Sequence, residues 1–178
     1  MRALFKKVST TKERFDINEA IEEVVILAQS ELQRHRVSLQ HQLASDLPLV
    51  SGDRIQLQQV LFNLIMNAIE AMSGVEEGPR ELWVSSEKVT EISGGSENLA
   101  AAEWALIAVR DSGPGLDAKS LDRLFDAFYT TKPHGLGMGL AISRSIIEAH
   151  GGQLWATASD ARGAVLQFRL PVRDQRMP

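Results

Sequence analysis

The chain has 178 residues, 44% of them hydrophobic, with 23 acidic and 19 basic side chains, a formal charge of −4 and no cysteine. That is enough for one sizeable core and too little for two ordinary domains. The charge balance lacks the basic patch of an electrostatic nucleic-acid binder, and disulfide frameworks and zinc–thiolate sites are excluded.

The N-terminal residues carry no apolar signal core, and the longest apolar run, 99–109, is broken by Glu103 and too short to span a bilayer. A domain without direct membrane contact is expected. Asp16 or Asn18 caps a helix through "NEAIEEVVILAQSELQRH", where Ile21, Val24, Val25, Ala28 and Leu32 recur at helical spacing. "VSLQHQLA", residues 37–44, alternates and predicts a half-buried strand, and "SDLPLVSGD" is a turn-rich connection. Asp53 then opens the longest helix. Strands are predicted at "ELWVSS" and "EWALIAVRD", joined through "EKVTEISGGSENLAAA", whose Gly, Ser and Asn content marks a loop within an extended hairpin. "DSGPG" precedes a short helix, "AKSLDRLFDAF". A glycine-rich stretch follows, "TTKPHGLGMGLAISRSIIEAHGG", and then strands at "QLWATAS" and "AVLQFRLP" with a turn near Gly163. Interspersed helices and paired strands predict an α/β (α+β) two-layer sandwich, a mixed sheet covered on one face by about three helices.

Gly135, Gly137 and Gly139 run into a helix that stops at Gly151 and Gly152. Glycines let backbone amides approach a phosphate, and a following helix adds its positive end. The P-loop pattern fails, because Gly139 is followed by Leu140 and Ala141 instead of Lys and Ser or Thr. Gly113, Gly115 and Ala118 meet a degenerate dinucleotide fingerprint after a predicted strand, a weak match. A flexible loop with a glycine helix stop remains the plain alternative.

In "DRIQLQQVLFNLIMNAIEAM", Leu57, Leu61, Leu64, Ile65, Ala68 and Met72 fall on one helical face. The other stripe carries Gln56, Gln59, Asn63, Asn67 and Glu70, so two asparagines four apart point the same way. A solvated polar face accounts for any one of them. Two mid-helix asparagines are less easily dismissed, since Asn is a mediocre helix former and its amide oxygen is a hard ligand suited to Mg²⁺ among phosphates.

"NLIMNAIEAM", "DSGPG", "LFDAFYTTK" and "GLGMGLAISRSIIEAHGG" together resemble, in order and spacing, the four nucleotide-binding boxes of bacterial sensor histidine kinases. The likeness covers residues 15–171 and implies their catalytic ATP-binding domain, with the Bergerat fold shared with gyrase-type, chaperone and mismatch-repair ATPases. "EAM" after the second asparagine looks closest to the nitrogen-regulation and oxygen-sensing type. The resemblance implies ATP and Mg²⁺ as cofactors, with Asn63 and Asn67 holding the metal and phosphates and Asp111 accepting the adenine amino proton. Gly113 and Gly115 would bring the backbone close to the base. Thr130, Thr131 and Lys132 would belong to a lid, with Lys132 supplying a point charge. Gly135, Leu136, Gly137, Met138, Gly139 and Leu140 would form the cradle, Met138 serving packing as readily as function. Phe125 and Phe128 are expected as core residues anchoring that lid.

Two departures matter. Glu70 stands where many family members carry a basic residue, so phosphate neutralisation rests on Mg²⁺ and Lys132. The loop at 86–102 is longer than the family pattern. Asn63 occupies the place of the glutamate that activates water in hydrolytic relatives, which implies phosphoryl transfer. None of His35, His41, His134 and His150 is followed by an acidic residue or an acceptor-like sequence, so the phosphoacceptor histidine is expected on a separate dimerisation domain. "MRALFKK" looks like the tail of that domain's helix, giving bounds of 1–14 for the tail, 15–171 for the catalytic domain and 172–178 for a C-terminal tail. The response regulator receiver domain is an implied indirect partner, and the cytoplasm the implied location.

Overall fold

Asp16 accepts a hydrogen bond from the backbone N–H of Asn18 at 2.8 Å and opens helix α1, Ile17–Arg34. Asp16 is therefore the cap. Asn18 turns its side chain away, donating to the Ala44 carbonyl at 2.8 Å and accepting from Ser86 Oγ at 2.7 Å. The computed structural model describes residues 12–76, 78–93, 100–129, 137–158 and 162–172.

Before α1, strand β1 (Glu13–Phe15) pairs antiparallel with β3 (Val50–Gly52) in a two-stranded ribbon that the alternation pattern did not reveal. Strand β2 (Ser38–Leu43) is an edge strand with no fully buried residue; Leu39 and Leu43 are half-buried. Helix α2 (Arg54–Ser73) is capped by Asp53, whose side chain accepts from the Gln56 N–H at 3.1 Å. All six of its expected core residues are buried, joined by Val60 and Ile69. Each such Leu, Ile, Val or Met side chain contributes about 1.5–3 kcal/mol by leaving water, so the buried face holds α2 against the sheet far more firmly than helix propensity does.

Strands β4 (Glu81–Ser93) and β5 (Ala100–Asp111) form a long antiparallel hairpin. The expected loop at 86–102 is corrected here: β4 runs to Ser93 and β5 starts at Ala100, with 94–99 outside the described residues. "KVT" supplies β-branched residues that pair across the hairpin, Val89 with Trp104 and Thr90 with Glu103, and a 2.6 Å ion pair joins Lys88 to Glu103. Helix α3 (Ala118–Arg123) is short, α4 (Gly139–Ala149) longer, and β6 (Gln153–Ala158) and β7 (Ala164–Pro171) close the sheet in the order β2-β4-β5-β7-β6. Only the β2–β4 pair is parallel.

The sheet is thus mixed, and its inward residues, among them Leu82, Val84, Ile107, Val109, Leu166 and Phe168, share one core with α1, α2 and α4. The alternate residues include all three tryptophans; Arg110 lies 4.9 Å over Trp83 and Arg169 lies 4.4 Å over Trp104, their apolar stems covering the outer face. Among the described residues no helix is long and apolar enough to cross a membrane.

Candidate functional site

Where the last residue of β5 meets the middle of α2 and the start of α4, the fold leaves a cavity of about 370 Å³. Helix α2 contributes Asn63, Asn67, Ala68, Glu70 and Ala71 to its wall. The end of β5 gives Asp111, and Leu116, Ser120, Leu124 and Tyr129 close the side formed by α3 and its flanks. Residues 137–140, which start beside Tyr129, border it too, and Ala164 and Leu166 of β7 complete the lining. The helical spacing that put both asparagines on one stripe therefore aims Asn63 and Asn67 into a concavity, while Gln59 on the same stripe lies exposed.

Asp111 is only 5% exposed. Its Oδ1 accepts from the backbone N–H of Gly113 at 2.8 Å and of Ala164 at 3.4 Å. Burial pushes its carboxyl above the usual value, and the two backbone hydrogen bonds pull it part of the way back. Gly113 and Gly115 lie in the turn that follows β5, next to the cavity-lining Asp111. A Cβ at Gly113 would meet Asp111 Oδ1 at 2.8 Å, so its glycine lets the carboxylate sit down on the backbone; Gly115 adopts φ +85° in the turn behind. Gly163, which sequence reasoning placed only in a turn, belongs to the same support: at φ +91° it lies so close that a Cβ would come 1.8 Å from the Asp111 carbonyl oxygen.

On the opposite wall Asn63 Nδ2 donates to Ser143 Oγ at 2.9 Å, and Asn67 Nδ2 reaches Asn63 Oδ1 at 3.5 Å. Helix α4 begins at Gly139 without a side-chain cap, Met138 having none to offer. Among the described residues no side chain caps its first-turn N–H groups, which border the cavity at a suitable place for anionic oxygens. Among the described residues no group of three or more His, Cys, Asp or Glu side chains is placed to hold a metal. A cation here would take the neutral amide oxygens of Asn63 and Asn67 and draw its remaining ligands from a bound anion and water, a donor set that suits Mg²⁺.

Asn63, Asn67, Asp111, Gly137, Met138, Gly139 and Leu140 thus converge on one cavity. Thr130, Thr131, Lys132, Gly135 and Leu136 lie outside the described residues. Phe128 is corrected: it is 75% exposed, at φ +67°, because the backbone there turns so that its N–H donates to the Gly137 carbonyl. Phe125 packs half-buried against the core with Arg144 5.4 Å over its ring. The dinucleotide alternative is excluded, since β5 pairs antiparallel with both neighbours and the following helix has six residues, with no crossover to a parallel strand. Ser143, Gly163, Tyr129 and Ser120 escaped the sequence reading. Ser143 alone left a signal, a hydroxyl one turn before the buried Ile147.

Residues 52–174 match the family described as histidine kinase-, DNA gyrase B-, and HSP90-like ATPase. The chain is 41% identical over 157 residues to the sensor protein TdiS of Thauera aromatica, a match covering 88% of this chain and 27% of TdiS. It spans about a quarter of that relative's length. Among solved structures, the nucleotide-free catalytic domain of histidine kinase ThkA superposes with a TM-score of 0.72 at 30% identity, covering 90% of this chain and 95% of that one. ThkA in complex with the response regulator TrrA gives 0.71 at 27% identity, covering 93% and 43%.

Proposed function

Because the chain belongs to the histidine kinase-, DNA gyrase B-, and HSP90-like ATPase family, as the ATP-binding catalytic domain of a sensor histidine kinase, we propose that its cavity binds Mg-ATP for transfer of the γ-phosphoryl group to a histidine on the dimerisation domain. Asp111 carries this reading. A carboxylate buried at the end of a strand, fixed through Oδ1 by two backbone donors, is an acceptor matched to the amino group of adenine; guanine would present a carbonyl in its place. The phosphates then extend toward Asn63, Asn67 and the uncapped start of α4. Bound Mg²⁺ would neutralise charge on the phosphate oxygens. Asn63 and Asn67 orient that end of the nucleotide, the α4 amides hold its oxygens, and Tyr129 and Leu124 exclude water from the cavity.

Thr130, Thr131, Lys132, Gly135 and Leu136 complete the lid in this reading, with Lys132 as the cation over the phosphates. The bounds 15–171 for the catalytic domain and 1–14 for the tail of the upstream helix rest on the same resemblance, although Glu13 and Arg14 already pair with β3. Glu70 and the "EAM" sequence support the nitrogen-regulation and oxygen-sensing subtype. The ThkA complex supports a receiver domain as partner, and the use of ATP supports a cytoplasmic location.

The test is transfer between separate chains. Incubated with Mg-ATP, this chain is expected to form no phosphohistidine on its own four histidines and to label a supplied dimerisation domain of its parent kinase, slowly and in proportion to acceptor concentration, because no linker raises the local concentration. Nucleotide binding without any transfer would reduce the domain to a binding module. Brisk hydrolysis would place it with the ATPases.

A further inference from the structure

Three side chains from two helices form one polar chain along the cavity wall: Asn67 donates to Asn63, and Asn63 donates to Ser143 at 2.9 Å across 80 residues of sequence. Ser143 is 2% exposed, and with Ile147 it makes up the buried face of α4. A hydroxyl there forfeits its hydration unless it finds a partner, and an alanine would fill the position without that cost. The bond has a directional consequence as well. With Nδ2 held by the hydroxyl, the Asn63 amide is fixed in plane and its Oδ1 is left on the side of Asn67 and Gly139. Gly139 fits the same arrangement, because a Cβ there would come 2.7 Å from Asn63 Oδ1 and push that oxygen away.

The geometry points to Ser143 as a positioning residue, holding the amide nitrogen of Asn63 so that the amide oxygen is presented to the cation that accompanies the nucleotide. The inference rests on Asn63 being a ligand of that cation, as proposed above. Ser143 itself is buried and is not among the residues that line the cavity. A hydroxyl that merely filled space in α4 would affect folding, and nucleotide affinity with and without metal alike. One that aims a ligand affects only the gain in affinity that metal brings.

The experiment is calorimetric titration of ADP, with and without Mg²⁺, into the wild-type chain, Ser143→Ala, Asn63→Ala and the double variant, each checked by thermal melting. Ser143→Ala is expected to fold, to bind metal-free ADP as the wild type does, and to lose about tenfold of the Mg²⁺-dependent gain. The double variant is expected to lose no more than Asn63→Ala alone, because the two side chains act as one unit. Loss of the gain in Asn63→Ala with its retention in Ser143→Ala overturns the inference and leaves the ligand assignment standing, as does a further loss in the double variant. An unchanged gain in Asn63→Ala removes the ligand assignment and this inference together.

Discussion

His150 ties the end of α4 to the start of α2: its Nε2 accepts the backbone N–H of Asp53 at 3.0 Å, and its Nδ1 donates to the Ile146 carbonyl at 2.7 Å. The two bonds select the neutral ring with its proton on Nδ1. Gly52 leaves the room, since a Cβ there would come 2.4 Å from His150 Cδ2. Asp53 is also the cap of α2, so one imidazole fastens the helix carrying both asparagines to the helix whose first turn borders the cavity. The histidine is half-buried and structural.

His150→Ala removes both bonds and leaves the Asp53 amide to find another partner. It is expected to cost about 1–3 kcal/mol of folding stability, read by urea denaturation with an unchanged m-value. A loss below about 0.5 kcal/mol, the range of ordinary surface changes, would show that the junction does not depend on it.

Asp111→Asn is expected to abolish adenine recognition while leaving the apo domain more stable at neutral pH. The sign follows from burial, which holds the native carboxyl above its ordinary 3.8. The folded state therefore favours the protonated form, and ionising Asp111 costs stability as pH rises from the ordinary carboxylate range through the raised value. Asn keeps an oxygen for the Gly113 and Ala164 amides and has no charge to desolvate. Melting temperatures of the two proteins should converge at acid pH, and the variant should lead increasingly toward neutrality; a gap that shrinks with rising pH contradicts the assigned environment.

Gly163→Ala tests the backbone behind the same carboxylate. Alanine at φ +91° is strained, and its Cβ would overlap the Asp111 carbonyl. A cost of at least about 1–3 kcal/mol is expected, with ATP affinity falling because the carboxylate is displaced. Full affinity in a destabilised variant would separate the turn from the site.

Much of the architecture was legible because it is written in local periods. The apolar stripe of α2, the alternation in β4, β5 and β7, and the glycine stops all reflect geometry over a few residues. The hairpin extent was misjudged because "SGGSEN" dominated the reading of its flanks, although Val89, Thr90 and Ile92 favour strand. The convergence of Asn63, Asn67 and Asp111 was legible through family resemblance. Gly163 and the junction at His150 were not, and Ser143 only as a hydroxyl one turn before Ile147, because each acts through a partner 52 or more residues away and no local pattern encodes such a distance.

Asn67→Ala should fold normally, since alanine is the better helix former, and should weaken Mg-ATP by about tenfold while leaving metal-free nucleotide nearly unaffected. Equilibrium binding at several Mg²⁺ concentrations measures it. Equal weakening with and without metal would make Asn67 a phosphate contact instead of a metal ligand.

The most direct test of the account is calorimetric titration of ATP and GTP into this chain at fixed Mg²⁺. If the buried carboxylate of Asp111 reads the adenine amino group, replacing that donor by the guanine carbonyl forfeits about 1.5–3 kcal/mol, so ATP should bind roughly ten- to a hundred-fold more tightly. Comparable affinities for the two nucleotides would contradict it.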